Sequence, residues 1–251
     1  MNIVLFSEEE IKNPLNINDT RANHILQILH KKTGDFFDAG IINGQAGTAK
    51  IISVTDKELS FEFAPETDGK PLYPLTMIIG FPRPIQLKRL LRDIASLGVN
   101  EVHLCGTELG EKSYLKSTLS EPENAFEMLK DGSIQAKSTH VPNLFIHQSL
   151  AACLAHINQN KITNPVLVGL DNVQPVCPLM KHPDFQEKSA EETKAQGVIA
   201  AIGSERGWTD NERELLKKNG FTLCSMGTRV LRTETACTTA VSLILSKLEV
   251  I

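Results

Sequence analysis

The sequence has no apolar run of the ~18 residues that a membrane-spanning helix needs. Its opening residues, Met1-Asn2-Ile3-Val4-Leu5-Phe6-Ser7-Glu8, carry no basic stretch and no cleavage site, so no secretory signal is expected. The five cysteines, Cys105, Cys153, Cys177, Cys224 and Cys237, form no C-x-x-C pair, and their number is odd. That argues against a disulfide framework and against a zinc ribbon. Reduced, buried thiols in a cytoplasmic protein are the simpler expectation. The seven histidines form no H-E-x-x-H and no i, i+4 pair, so spacing assigns no metal site. An excess of positive charge is also missing. Lys plus Arg count 26 against 30 Asp plus Glu, a formal net charge of -4. This excludes coating of nucleic acid by bulk charge and leaves room only for a local basic patch. No internal repeat and no low-complexity tract occurs.

What is present suffices for a core. The chain has 251 residues, 41% hydrophobic and 22% charged, and suits one large domain or two modest ones. The first 65 or so residues read as a β-rich unit with one helix. Asp19 or Asn18 is placed to cap a helix running to Lys31, with Ala22, Ile25, Leu26 and Leu29 on one face. Asn43-Gly44 is a tight-turn dipeptide between apolar runs, and Leu59, Phe61 and Phe63 alternate with polar residues in a strand period. A small barrel is expected. Residues 65–74 then hold three prolines and a glycine, which regular structure does not tolerate. The expected division is 1–70 and 71–251.

Beyond that boundary, short apolar runs at 75–81, 101–105, 144–147, 166–170, 198–202 and 221–224 alternate with helical patterns. The helices are expected at 86–97, 121–135, 148–157, 210–218 and 234–248. Such alternation implies an α/β domain with a parallel sheet. Residues 171–196 are mostly polar, contain Pro175, Pro178 and Pro183, and read as a long surface loop or an insertion.

Two stretches carry candidate chemistry. Ile202-Gly203-Ser204-Glu205-Arg206-Gly207-Trp208 leads from an apolar strand into Thr209-Asp210-Asn211-Glu212, a capping box. A glycine-containing turn there lets a ligand approach the main chain closely. An ordinary strand-to-helix turn would look the same. Met226-Gly227-Thr228-Arg229-Val230-Leu231-Arg232-Thr233-Glu234-Thr235-Ala236 places two guanidiniums beside a carboxylate at a helix start capped by Thr233. The arginines can recognise phosphate or stabilise developing negative charge. An ion pair between Arg232 and Glu234 is the structural alternative.

The stretch from Gly227 to Ala236 resembles the signature of the ribosomal RNA small subunit methyltransferase E family of the SPOUT class. Gly203, Glu205, Gly207, Trp208, Thr209 and Glu212 match a second motif of that family, with Ser204 in place of its proline and Arg206 in place of a glycine. His24 to Asp35 resembles an N-terminal motif, with His30 where arginine is usual, and Leu97-Gly98-Val99 matches a third with Ser96 replacing its acid. Gln135 and Val141-Pro142 match a fourth, whose arginine is missing from Ala136-Lys137-Ser138.

The resemblance implies a PUA-like barrel, a SPOUT domain with a trefoil knot, and a homodimer. It implies S-adenosylmethionine held by three loops: Gly169, Leu170 and Asp171; Ile202, Gly203, Ser204, Glu205 and Gly207; and Ser225, Met226, Gly227, Val230 and Leu231. The implied reaction is methyl transfer to N3 of a uridine in 16S rRNA, with no metal. Arg232 is then the candidate for stabilising negative charge on the base, Glu234 for the proton acceptor or for holding Arg232, and Arg229 for an RNA phosphate.

Substrate RNA needs a local basic face. The helix at 86–97 turns Leu87, Leu90, Leu91 and Ile94 inward and Lys88, Arg89 and Arg92 outward, with Arg83 upstream. Arg21 and Lys31 extend the list in the first domain. A merely solvated helix face is the alternative. Trp208 either packs behind its loop or stacks on a base. Two other functions stay open. Residues 166–173 also resemble a sister group that methylates a ribose 2′-hydroxyl, and the altered Ser204, Arg206 and Ser96 are compatible with a non-catalytic RNA-binding module.

Overall fold

The computed structural model describes residues 2–118, 121–159 and 163–251. The chain divides into two compact units: Met1–Pro71 with Ser133–Val141, and Leu72–Gly132 with Pro142–Ile251.

In the first unit, β1 (Val4–Phe6), β2 (Leu15–Asn16), β3 (Phe36–Ile41), β4 (Ala46–Val54) and β5 (Glu58–Thr67) form one sheet in the order β1-β3-β4-β5-β2. Among the described residues of this sheet only the β1–β3 pair is parallel. The sheet curls into a half-barrel with β1 and β2 as its edges. Its inner face buries Phe6, Phe37, Ile51 and Leu59, and the rings of Phe6 and Phe61 lie 5.0 Å apart. Asn43, at φ 57°, supplies the left-handed residue of the turn between β3 and β4. The returning segment is tied to that turn: the Asn43 side-chain oxygen accepts the Val141 N–H at 2.9 Å, and the Thr139 hydroxyl donates to the Gly44 carbonyl at 2.7 Å.

The helix of this unit is shorter than its apolar period suggests. Asp19 caps α1 (Thr20–Asn23), accepting from the Arg21 N–H at 2.8 Å. The chain then widens into a π turn over His24–Ile28 and ends at Leu29, and His30 adopts φ 53°. The expected continuation to Lys31 is corrected because a left-handed residue cannot extend a right-handed helix.

The second unit contains β6 (Tyr73–Gly80), α2 (Pro84–Ser96), β7 (Val99–Cys105), α3 (Pro122–Gln135, its last residues passing into the first unit), β8 (Asn143–His147), α4 (Leu150–Gln159) and β9 (Val166–Leu170). There follow β10 (Cys177–Pro178), α5 (Pro183–Glu187), α6 (Ala190–Gln196), β11 (Val198–Ile202), α7 (Asp210–Lys218), β12 (Thr222–Ser225) and α8 (Thr233–Lys247). Seven strands pair in the order β10-β12-β9-β11-β6-β7-β8, every pair parallel. Ile78, Ile199 and Ala201 pack with Leu150 and Leu154 of α4 and Leu216 of α7. The alternate residues Met77, Ile79 and Ala200 are equally buried, so both faces of the central strands are covered.

Residues 171–196 are not a surface loop throughout, which corrects the expectation. They include strand β10 and helices α5 and α6, with Leu179, Phe185 and Ala190 buried. A capping box starts α6: the Ser189 side chain accepts from the Glu192 N–H, and the Glu192 carboxylate accepts from the Ser189 N–H at 2.8 Å. The expected Thr233 cap is corrected as well. Arg232, in extended backbone, occupies the N-cap of α8, and Thr233 is the first helical residue, buried.

Candidate active site

Parallel strands end together, and the loops leaving β9, β11 and β12 meet at one edge of the sheet. They line a cavity of about 330 Å³. Leu170 contributes from the first loop, Ile202, Gly203, Ser204, Glu205 and Gly207 from the second, and Met226, Gly227, Val230 and Leu231 from the third. Gly169 and Ser225 do not line it. Gly169 lies within the sheet, where a Cβ would stand 2.8 Å from Leu223. Asp171, Asn172, Val173, Arg206 and Cys224 join the wall.

The second loop is built by close approach. A Cβ on Gly203 would meet the Gly207 backbone at 2.8 Å, so this turn closes only around a glycine. The Gly207 N–H donates to the Ser204 carbonyl at 2.8 Å, and the Thr107 hydroxyl donates to the Ser204 hydroxyl at 2.9 Å. Arg206 sits exposed in the turn and is not among the residues with positive φ, so a side chain is accommodated there without strain. The Glu205 carboxylate accepts the Arg83 backbone N–H at 2.7 Å, just before Pro84 opens α2. That places an anion at the positive end of the helix.

Two ties hold the first loop. Asp171 is buried and accepts from Arg213 Nε at 3.0 Å and Nη2 at 3.2 Å; Arg213 Nη1 also reaches Asp210 at 2.9 Å. The two carboxylates hold the guanidinium further above its ordinary pKa, Asp171 most strongly. Trp208, 2% exposed, donates its indole N–H to the Leu170 carbonyl at 3.1 Å. Its alternatives are thereby settled for packing. The Cys224 thiol is raised by burial and by Cys177, whose sulfur lies 3.6 Å away, so it is a neutral wall group.

Arg229 lines the cavity and is exposed. Arg232 is exposed and Glu234 half-buried at the start of α8, and neither belongs to the cavity wall. Among the described residues no ion pair joins Arg232 to Glu234, so the structural alternative for this pair is not realised.

On α2, Leu87, Leu90, Leu91 and Ile94 are fully buried while Lys88 and Arg89 point to solvent. Arg92 pairs with Asp131 at 2.9 Å, and Arg83 Nε donates to the Tyr114 hydroxyl at 3.2 Å. In the first unit, Lys31 borders a surface recess with Phe36 and Asp38. Arg21 is held between Glu10 at 2.7 Å and Asp19 at 2.8 Å, so its cluster presents no net positive charge. The sequence reading missed Asp171–Arg213, whose partners lie 42 residues apart. A cationic residue facing inward on α7 was the available signal.

Residues 68–245 match the family model of an RNA methyltransferase domain, which sets the class. The chain is 40% identical to the ribosomal RNA small subunit methyltransferase E of Treponema pallidum (98% of this chain, 91% of that one). It is 32% identical to the ribosomal RNA small subunit methyltransferase E 1 of Borreliella burgdorferi, over 99% of both chains. The solved structure of a ribosomal RNA small subunit methyltransferase E from Neisseria gonorrhoeae, bound to S-adenosyl methionine, shares the fold: TM-score 0.76 at 18% identity, covering 98% of this chain and 97% of that one. The chain belongs to the ribosomal RNA small subunit methyltransferase E family.

Proposed function

We propose that the chain transfers a methyl group from S-adenosylmethionine to N3 of a uridine in 16S rRNA. The observation that carries this reading is the convergence of three loops on one cavity at the end of a parallel sheet. The residues fit the cofactor. The cavity falls in the ~300–1,000 Å³ range of small-molecule sites. Leu170, Ile202, Met226 and Val230 offer apolar contact, and the glycine turns bring main-chain groups to the wall. When bound, the cofactor supplies an electrophilic methyl group on a sulfonium.

The chain's own residues have three tasks. The loops orient the donor toward the incoming base. Glu234, in the first turn of α8 and unpaired with Arg232, is the candidate acceptor for the N3 proton. Arg232, together with the positive end of α8, stabilises charge on the O2–N3–O4 system. Arg229 is assigned an RNA phosphate at the cavity mouth, and Lys88 and Arg89 continue the phosphate contacts along α2. Arg21 is left out, because its charge is already met by two carboxylates. The same reading takes the first unit as a PUA-like RNA-binding module, the path through β9, β11 and β12 as a trefoil knot, and the working form as a cytoplasmic homodimer.

Calorimetry and nucleoside mapping test it. Binding of S-adenosylmethionine is expected, and no binding at millimolar cofactor would refute the enzyme. Digests of 16S rRNA from cells lacking the gene should lose one 3-methyluridine. Loss of a ribose methyl instead would move the reaction to another atom. Arg232→Ala should abolish turnover and leave cofactor affinity largely intact.

A further inference from the structure

We propose that His103, His147 and Cys153 form a binding site for a borderline-to-soft transition-metal ion of the Zn(II) type, apart from the cofactor cavity. The three residues come from β7, β8 and α4, and none lines that cavity. One ligand atom from each lies within 4.8 Å of the other two. His103 Nδ1 and His147 Nε2 face each other at 3.0 Å. A tetrahedral ion with metal–nitrogen bonds of ~2.0–2.1 Å and a metal–sulfur bond of ~2.3 Å sets its ligand atoms roughly 3.3–3.6 Å apart. The histidine pair already has close to that spacing, and an edge of 4.8 Å has to contract by roughly 1.2–1.5 Å to match it.

A second observation points the same way. The other nitrogen of His103, Nε2, faces the Glu101 carboxylate at 3.5 Å. A carboxylate behind a histidine fixes the tautomer with its N–H on that side, which leaves the opposite nitrogen as a lone-pair donor. Here the opposite nitrogen is Nδ1, the one that faces His147.

His103 and Cys153 are fully buried, whereas His147 is half-buried and forms the opening. The His156 ring, one turn along α4 from Cys153, lies 5.2 Å from the His147 ring. Two imidazoles and a thiolate select a zinc-like or copper-like ion over magnesium or calcium. Bound there, the ion clips the edge strand β8 to β7 and α4.

The full-length protein, stripped with a chelator and dialysed, is titrated with Zn(II) alone by calorimetry and with Co(II) alone by absorption. One equivalent should bind, with tetrahedral d–d bands and a thiolate charge-transfer band for Co(II). Cys153→Ala should abolish the charge-transfer band, His147→Ala, at a half-exposed position, should cost at least ~100-fold in affinity, and Glu101→Gln about 10–100-fold. Cys177→Ser should change nothing. Zn(II) should raise the melting temperature of the parent protein and not that of His147→Ala. The proposal is overturned if no saturable binding occurs. It is equally overturned if binding survives both Cys153→Ala and His147→Ala, or if Cys177→Ser removes it.

Discussion

Arg21 in the first unit and Arg213 in the second each bind two carboxylates, with nearly the same distances. Arg21 reaches Glu10 and Asp19 at 2.7 and 2.8 Å, and Arg213 reaches Asp210 and Asp171 at 2.9 and 3.0 Å. They differ in surroundings. The Glu10 side chain is 46% exposed and that of Asp171 only 1%. Water solvates whatever is left when the first cluster is broken, whereas the buried Asp171 carboxylate would keep little beyond the Gln174 backbone N–H at 2.7 Å. Equal geometry therefore gives unequal consequences, and the costly cluster is the one at the cavity wall.

Arg213→Ala puts this contrast at greatest risk. It should destabilise by about 3–5 kcal/mol in urea unfolding, because a buried carboxylate loses its partner. A loss below about 1 kcal/mol would erase the distinction between the clusters. Trp208→Phe removes a neutral tie to the same loop, the indole N–H to the Leu170 carbonyl, and should cost about 2 kcal/mol. If it costs as much as Arg213→Ala, hydrogen bonding and not charge burial sets the scale. Ser189→Ala deletes half of the α6 capping box in a more exposed setting and should cost about 1 kcal/mol by thermal unfolding.

Arg21→Ala should have the smallest effect, within about 0.5–1 kcal/mol at neutral pH. Its sharper signature is in acid. Arg21 holds Glu10 at about 2, below its ordinary 4.5. A depressed carboxylate stabilises the fold fully above pH 4.5, and that contribution is lost as pH falls through about 2. The parent protein should lose stability across this window and the variant should lose less, as followed by circular dichroism.

The sequence showed the parts that depend on neighbours in the chain. Strands β9 and β11 and helix α7 lie where their apolar runs and the Thr209–Glu212 capping box put them. The loops at 202–207 and 225–231 were readable for the same reason, since each is a glycine turn after an apolar strand. Helices α5 and α6 escaped because they are short and carry few apolar residues among many charges, although the Ser189-x-x-Glu192 pattern was there to see. The early end of α1 escaped because the apolar period continues past the point where the backbone turns left-handed. Asp171 with Arg213, and His103 with His147, lie 42 and 44 residues apart. Such partners meet only through the strand order, which local pattern does not specify.

That strand order also sets a timetable for synthesis. Among the described residues strand β10 pairs only with β12, and β12 is what covers the open side of β9. Until residues 222–225 leave the ribosome, Cys177 and Pro178 have no neighbour to join and β9 presents a bare edge. The far third of the sheet is thus the last to assemble, and a chain cut short before β12 would expose an unpaired strand edge able to recruit another chain.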